Sequence, residues 1–128
     1  MFDGQPVRIL YMDDDVGAAR LFQKQLQRAG YEIKLAQDGQ KGQALYDQDH
    51  YDVVIVDQQM PGYSGLQVIR LLAERGSLPP TILITGVGNE RLAVEAIKLG
   101  AGDYIVKDVD ARYLELLPTV VEQGPNLR

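Results

Sequence analysis

The 128-residue sequence contains no cysteine. That excludes a disulfide framework and any thiolate chemistry. It contains one histidine, His50, in "YDQDHYD". With no second histidine or cysteine at metal spacing, His50 reads as a solvated side chain rather than a ligand. No apolar run approaches the ~20 residues needed to span a bilayer. The opening "MFDGQPVR" lacks a basic region followed by an apolar stretch, so no signal peptide is expected. A cytoplasmic protein without a membrane partner is the simplest expectation. Basic clusters are missing too: 13 Lys and Arg stand against 18 Asp and Glu, for a net charge of −5. A nucleic-acid module usually carries a basic face, so direct nucleic-acid binding is not expected. There is no internal repeat and no low-complexity segment.

What is present fits one globular domain. The length can bury a core without staples, and 45% of the residues are hydrophobic. Strand-like and helix-like segments alternate. "VRILYM" (7–12) is apolar and β-rich. "VGAARLFQKQLQRAG" (16–30) sets Ala19, Phe22, Leu26 and Ala29 at helical spacing, with Gly30 as the stop. "YEIKLA" (31–36) alternates apolar and charged residues, as at a sheet edge. "GQKGQALYDQ" (39–48) is a weaker helix, because its glycines cost stability. "VVIVD" (53–57) reads as a strand buried on both faces. "SGLQVIRLLAERG" (64–76) opens on Ser64 and Gln67, the pattern of a capping box. "TILIT" (81–85) is a second buried strand, and "NERLAVEAIKLG" (89–100) a helix with Asn89 as candidate cap. That helix is apolar over a broad arc of Leu92, Val94, Ala96, Ile97 and Leu99, with core packing as the first explanation and a partner surface as the second. "DYIVK" (103–107) is a short strand. "DARYLELLPTVVEQ" (110–123) is a last helix, kinked at Pro118. Strand and helix thus alternate five times, which calls for a parallel sheet with helices on both faces.

In open α/β sheets, ligands gather at the carboxyl ends of the strands. The first strand delivers Asp13, Asp14 and Asp15 there. The third delivers Asp57, the fourth Thr85 and the fifth Lys107. Asp15 also suits the cap of the following helix. Clustered carboxylates repel and must be neutralised. A hard divalent cation with oxygen ligands would do so, and Mg²⁺ typically takes one or two carboxylates and keeps waters and phosphate oxygens. The Met60-Pro61-Gly62 turn behind Asp57 leads the chain away and leaves its carboxylate accessible.

This constellation resembles the receiver domain of two-component response regulators. The pieces that carry the resemblance are "ILYMDDD", "VVIVDQQMPGYSG", "ILITG" and "GAGDYIVK", in order and at family-like separations. The resemblance implies a flavodoxin-like doubly wound (βα)5 fold with sheet order 2-1-3-4-5. It implies a receiver domain over 6–123, between a flexible start at 1–5 and a flexible tail at 124–128. Position by position, Asp57 matches the phosphoacceptor and Asp14 the direct metal ligand. Asp13 matches its partner acid, which usually acts through water, and the backbone carbonyl of Gln59 matches the third protein ligand. Thr85 matches the switch hydroxyl, Lys107 the lysine that pairs with a phosphoryl oxygen, and Tyr104 the aromatic whose rotamer follows the threonine. Gln59 and Val87 match the two side chains that flank the path of the hydrolytic water. The implied cofactor is Mg²⁺. The implied partners are a sensor histidine kinase or histidine phosphotransfer protein upstream and an effector domain or protein downstream; a homodimer is compatible. The implied chemistry is self-phosphorylation and self-dephosphorylation by a signalling domain rather than an enzyme.

Two positions depart from the family pattern. Asp108 follows Lys107 where proline is common, and Gly86 stands where alanine is common. Three other functions compete. A haloacid-dehalogenase-like phosphatase also uses an Asp nucleophile, but Asp13-Asp14-Asp15-Val16-Gly17 fails its D-x-D-x-T/V pattern at the last position, and no cap domain fits in this length. A flavodoxin-type FMN carrier needs a phosphate-cradling loop after the first strand; here that loop is triply acidic. A pseudo-receiver acting only as an interaction module would not need the acid pair, Thr85 and Lys107 together.

Overall fold

The computed structural model describes residues 6–86 and 90–107. The chain runs β1 (Arg8–Met12), α1 (Val16–Arg28), β2 (Glu32–Ala36), α2 (Gly39–Gln48), β3 (Val53–Asp57), α3 (Gly65–Ala73), β4 (Thr81–Thr85), α4 (Glu90–Leu99) and β5 (Asp103–Val106). All four strand pairings are parallel, in the order β2-β1-β3-β4-β5. This is the flavodoxin-like order that the sequence implied. The expected helix over 110–123 with Pro118, the Asn89 cap, Val87, the Lys107–Asp108 junction and both flexible ends lie outside the described residues. Among the described residues, no helix is long and apolar enough to cross a membrane.

The helix starts follow from local chemistry. Asp15 caps α1, its carboxylate accepting from the Ala18 N–H at 3.1 Å. Asp38 does the same for α2 through the Lys41 N–H at 2.8 Å. At α3 the capping box closes in both directions: the Gln67 N–H donates to Ser64 Oγ and the Ser64 N–H to Gln67 Oε1. Each cap satisfies backbone donors that a helix leaves open at its start.

Side chains alternate across each strand, so the sheet carries two cores. On one face Ile9, Tyr11, Ile55, Ile84 and Ile105 pack with Ala19, Phe22 and Leu26 of α1. On the other, Leu10, Met12, Val54, Val56 and Leu83 pack with Val68, Ile69 and Leu72 of α3 and Ala96 of α4. β3 and β4 are buried along their whole length, as strands covered on both faces must be. β2 exposes Glu32 and Lys34 around buried Ile33, as an edge strand does. Along α4 only Ala96 is fully buried, while Val94 and Ile97 are 50% and 64% exposed. At the opposite edge from the acids, Arg8 pins β1 to the α2–β3 connection. Its guanidinium donates twice to Asp49, at 2.6 Å each, and its N–H donates to Asp52 Oδ2 at 2.9 Å. His50 is solvated, with Nε2 3.3 Å from Asp52 Oδ1.

The glycines of α2 have a packing purpose that periodicity does not show. Both are buried, Gly42 against Met12 of β1 and Gly39 against Val68 of α3. A Cβ at Gly42 would lie 2.2 Å from Met12 Sδ, and one at Gly39 2.5 Å from Val68 Cγ2. Gly65 is tighter in kind, because beside the Leu83 side chain it meets backbone. A Cβ there would lie 2.8 Å from the Asp57 carbonyl oxygen and 2.9 Å from Gln58 Cα. Flexible side chains yield; the end of a central strand does not. Gly65→Ala is therefore expected to destabilise the fold by about 1–3 kcal/mol through overpacking, although alanine gains up to ~1 kcal/mol in helix propensity. Gly17→Ala, whose Cβ meets only Asp15 Oδ1 at 3.6 Å, should be neutral or stabilising by comparison. Urea denaturation of both variants checks the contrast.

Candidate functional site

β1 and β3 are neighbours in register, with Met12 opposite Val56. Their carboxyl ends therefore place Asp13 and Asp57 side by side. Asp13 is 1% exposed and Asp57 4% exposed. Asp14, one residue on, is exposed. One oxygen from each of Asp13, Asp14 and Asp57 lies within 4.8 Å of the others. Lys107 reaches this group from just beyond β5, where its N–H donates to the Thr85 carbonyl at 2.7 Å. Its ammonium donates to Asp13 Oδ2 at 3.2 Å and to Asp57 Oδ2 at 3.3 Å. The structure thus gathers four of the expected site residues at one point, with Lys107 bonded to Asp13 and Asp57 and Asp14 beside them.

The two-residue period sorts the rest. Tyr11, Asp13, Ile55, Asp57, Ile105 and Lys107 share the parity that faces α1. Leu83 and Thr85 share the other parity, and Tyr104 pairs with Leu83 in register. Thr85 is buried at the end of β4, and Tyr104 is half-buried against the core under α3 and α4. The hydroxyl-bearing and aromatic positions thus lie across the sheet edge from the lysine. Gln59 is exposed two residues beyond Asp57, and Gly86 is exposed directly after Thr85.

Burial and the negative charge of Asp13 push the Asp57 carboxyl up, to about 7, against the opposing pull of Lys107. A carboxyl so placed holds its proton near neutrality unless more positive charge arrives. The donor set is suited to that charge. Three carboxylates supply only oxygen, the choice of hard cations. Oxygens on opposite sides of such an ion lie about 4–5 Å apart, twice a metal–oxygen distance of about 2.0–2.6 Å. The three acids, each with an oxygen within 4.8 Å of the others, are close enough to share one ion.

Two residues of the site escape the sequence pattern. The Tyr11 hydroxyl donates to Asp13 Oδ2 at 2.7 Å from inside the core. Its signal is the i, i+2 spacing to Asp13, masked because Tyr11 sits in an otherwise apolar strand. Gln58 closes the turn behind β3. Its N–H donates to the Ile84 carbonyl at 2.7 Å, its carbonyl accepts from Gly65, and its side-chain oxygen accepts from the Leu66 N–H at 2.9 Å. Nothing in its neighbours' pattern marks it.

Comparison with known proteins agrees with this geometry. The family model "Response regulator receiver domain" matches residues 9–117. The transcriptional regulatory protein PcoR of Escherichia coli is 34% identical over 88% of this chain and 49% of its own length. The probable transcriptional regulatory protein SilR of Salmonella typhimurium is 34% identical over 92% of this chain and 52% of its own. The chain thus spans about half the length of these curated relatives. Among solved structures, the response regulator protein TrrA from Thermotoga maritima, in complex with Mg²⁺-BeF, is 30% identical with a TM-score of 0.76, covering 90% of this chain and 98% of that one. A CheY-like receiver domain protein from Methanospirillum hungatei superposes with a TM-score of 0.83 at 23% identity, covering 97% of this chain and all of that one, which speaks for the fold alone. Fold, acidic edge and family match converge, and the chain belongs to the response regulator receiver domain family.

Proposed function

We propose that this chain is a phosphoacceptor receiver that takes a phosphoryl group onto Asp57 and thereby switches a partner-binding surface. The observation that carries the reading is the Lys107 ammonium held between Asp13 and Asp57, with Asp14 alongside. A carboxylate is a weak nucleophile, and phosphoryl transfer depends mostly on positioning and charge neutralisation. Asp57 supplies the attacking oxygen from a rigid strand end. Its bond to phosphorus forms as the bond from phosphorus to the donor breaks, giving an acyl phosphate. Lys107 is placed to pair with a phosphoryl oxygen, giving up its bonds to the two acids. Asp13, Asp14, Asp57 and the Gln59 carbonyl would hold Mg²⁺, which when bound would neutralise charge on the incoming phosphoryl oxygens. The Mg²⁺-BeF complex of the 30%-identical TrrA supports this assignment.

The new group would carry about −1.5 to −2 charges, judging from other phosphorylated residues. Thr85 and Tyr104 lie toward α4, so a hydroxyl drawn to the phosphoryl group would open room that the half-buried ring can take. That is how a local charge biases a two-state surface. The donor would be a sensor histidine kinase or a histidine phosphotransfer protein, and the output an effector domain or protein. On this reading the chain is a cytoplasmic receiver over 6–123, a signalling domain with self-phosphorylation and self-dephosphorylation as its expected chemistry. A pseudo-receiver that acts by contact alone is the remaining alternative, and acetyl phosphate decides between them. Incubation with acetyl phosphate and Mg²⁺ should add one phosphoryl group by intact mass, and Asp57→Asn should abolish it. A phosphopeptide containing Asp13, Asp14 or Asp15 instead would refute the assignment.

The metal reading makes a linked prediction about stability. Mg²⁺ binding to the folded state alone should stabilise it by ~1–3 kcal/mol at about 10–100 times Kd. Asp14→Ala should remove that gain, and added NaCl should not reproduce it. The pH trend follows from Asp57, whose folded carboxyl titrates at about 7 against an ordinary 3.8. Between those values the folded state holds a proton that the unfolded state has released. Metal-free stability should therefore fall as pH rises from about 4 to about 7, and level off above. Saturating Mg²⁺ should flatten this component, as should Asp57→Asn. Thermal melting at several pH values measures both, and a parent midpoint indifferent to Mg²⁺ would sink the metal assignment.

The lifetime of the acyl phosphate is expected to depend on Gln59, whose exposed amide can orient an attacking water, as a glutamine does in GTPases. An orienting group worth ~1.4 kcal/mol changes a rate tenfold. Gln59→Leu should therefore slow loss of the phosphoryl group several-fold, and Val87→Ala should change it less. Decay of phosphoprotein after donor removal provides the measurement.

A further inference from the structure

We propose that Tyr11 is a positioning residue of the acidic site, its phenolic O–H orienting the Asp13 carboxylate toward a bound divalent cation. The inference rests on the metal reading given above.

Tyr11 is fully buried in the middle of β1. Its ring meets Phe22 of α1 edge to face, with centroids 4.8 Å apart and planes at 80°. The hydrophobic core at this depth would accept a valine or isoleucine without a polar atom to satisfy. The tyrosine instead carries a hydroxyl two residues along the same strand face, to the point where Asp13 begins the acidic cluster. The contact to Asp13 Oδ2, at 2.7 Å, falls in the short range of an O–H donating to an ionised carboxylate. The other oxygen, Oδ1, accepts from the Asp15 N–H at 2.9 Å. Asp13 is therefore held at both oxygens by groups that are themselves fixed, one by the core and one by the start of α1.

The kind of donor matters. Lys107 also reaches Oδ2, at 3.2 Å, but it brings a positive charge and is shared with Asp57. A cation that anchored Asp13 would oppose the metal. A phenol orients the same carboxylate and leaves its negative charge in place for the metal. Carboxylates that serve metals are commonly hydrogen-bonded in turn, and loss of such a partner typically weakens metal binding by about 10–100-fold. Removing the phenol also leaves Asp13 with a barer charge, which by itself would favour a cation. Orientation should dominate, because Lys107 and the Asp15 N–H still offset the charge, but the lysine is shared with Asp57 and the donor fixed in the core is gone.

A buried tyrosine that merely satisfies its hydroxyl would affect stability without affecting the metal. Tyr11→Phe keeps the ring and its packing on Phe22 and removes only the donor. The expected result is a Mg²⁺ dissociation constant about tenfold weaker, followed by backbone amide shifts on titration with MgCl₂ alone. Leu72→Ala opens a cavity in the core on the other face of the sheet and leaves the Tyr11 ring and hydroxyl in place. It should lower the metal-free melting midpoint and leave the Mg²⁺ constant unchanged. In the parent protein, the ζ-carbon resonance of Tyr11 should move with added Mg²⁺ at the same midpoint as the Asp14 amide, which tests the coupling without any substitution. A Tyr11→Phe protein that binds Mg²⁺ as the parent does overturns the proposal, as does a Tyr11 resonance indifferent to the metal. A parent that binds no Mg²⁺, or an Asp14→Ala variant that binds it equally well, overturns the metal reading itself and this inference with it.

Discussion

Two buried carboxylates at the ends of adjacent strands would repel each other, and the Lys107 ammonium between them is what lets β1 and β3 end side by side in this way. Asp13 and Asp57 lie 94 and 50 residues from Lys107 in the chain. Three of the five strands are therefore tied at one point by a single cation. The tie is incomplete by design of its chemistry: one ammonium faces three acids. Burial, together with the remaining imbalance, raises the carboxyl of Asp57. A site left short of positive charge has a standing affinity for a cation.

The parallel sheet distributes what can respond. Lysine and acids share the parity that faces α1, whereas Thr85 and Tyr104 belong to the face covered by α3 and α4. A change in charge at the strand ends thus touches both cores of one sheet without any element crossing it. On the side covered by α3 and α4, Val94 and Ile97 of α4 stay largely exposed.

Much of this was readable in the amino-acid string. Unbroken apolar runs marked β3 and β4, and alternation marked β2 as an edge, because burial on both faces or one leaves opposite signatures. Caps read correctly at Asp15 and at Ser64 with Gln67, since a short polar side chain before an apolar period has a local reason to be there. The acidic cluster and Lys107 followed from strand ends alone. What stayed hidden depends on contacts between distant segments. Gly39 and Gly42 read as weakness and turned out to be close approaches, and Gly65, which the pattern left unremarked, is another. Tyr11 read as core, and its bond to Asp13 needed the actual direction of the side chain. Arg8 gave no hint that it would clasp Asp49 across the far edge.

Gly65 and Gln58 have a mechanical consequence for the domain. The turn after Asp57 is bonded on both sides, to Ile84 of β4 and to the first residues of α3, and Gly65 lies so near the Asp57 carbonyl that not even a methyl group fits between them. β3 and α3 therefore behave as a single anvil. Work done at the carboxylate of Asp57 cannot be absorbed by that side, and must be delivered to whichever neighbouring parts are softer.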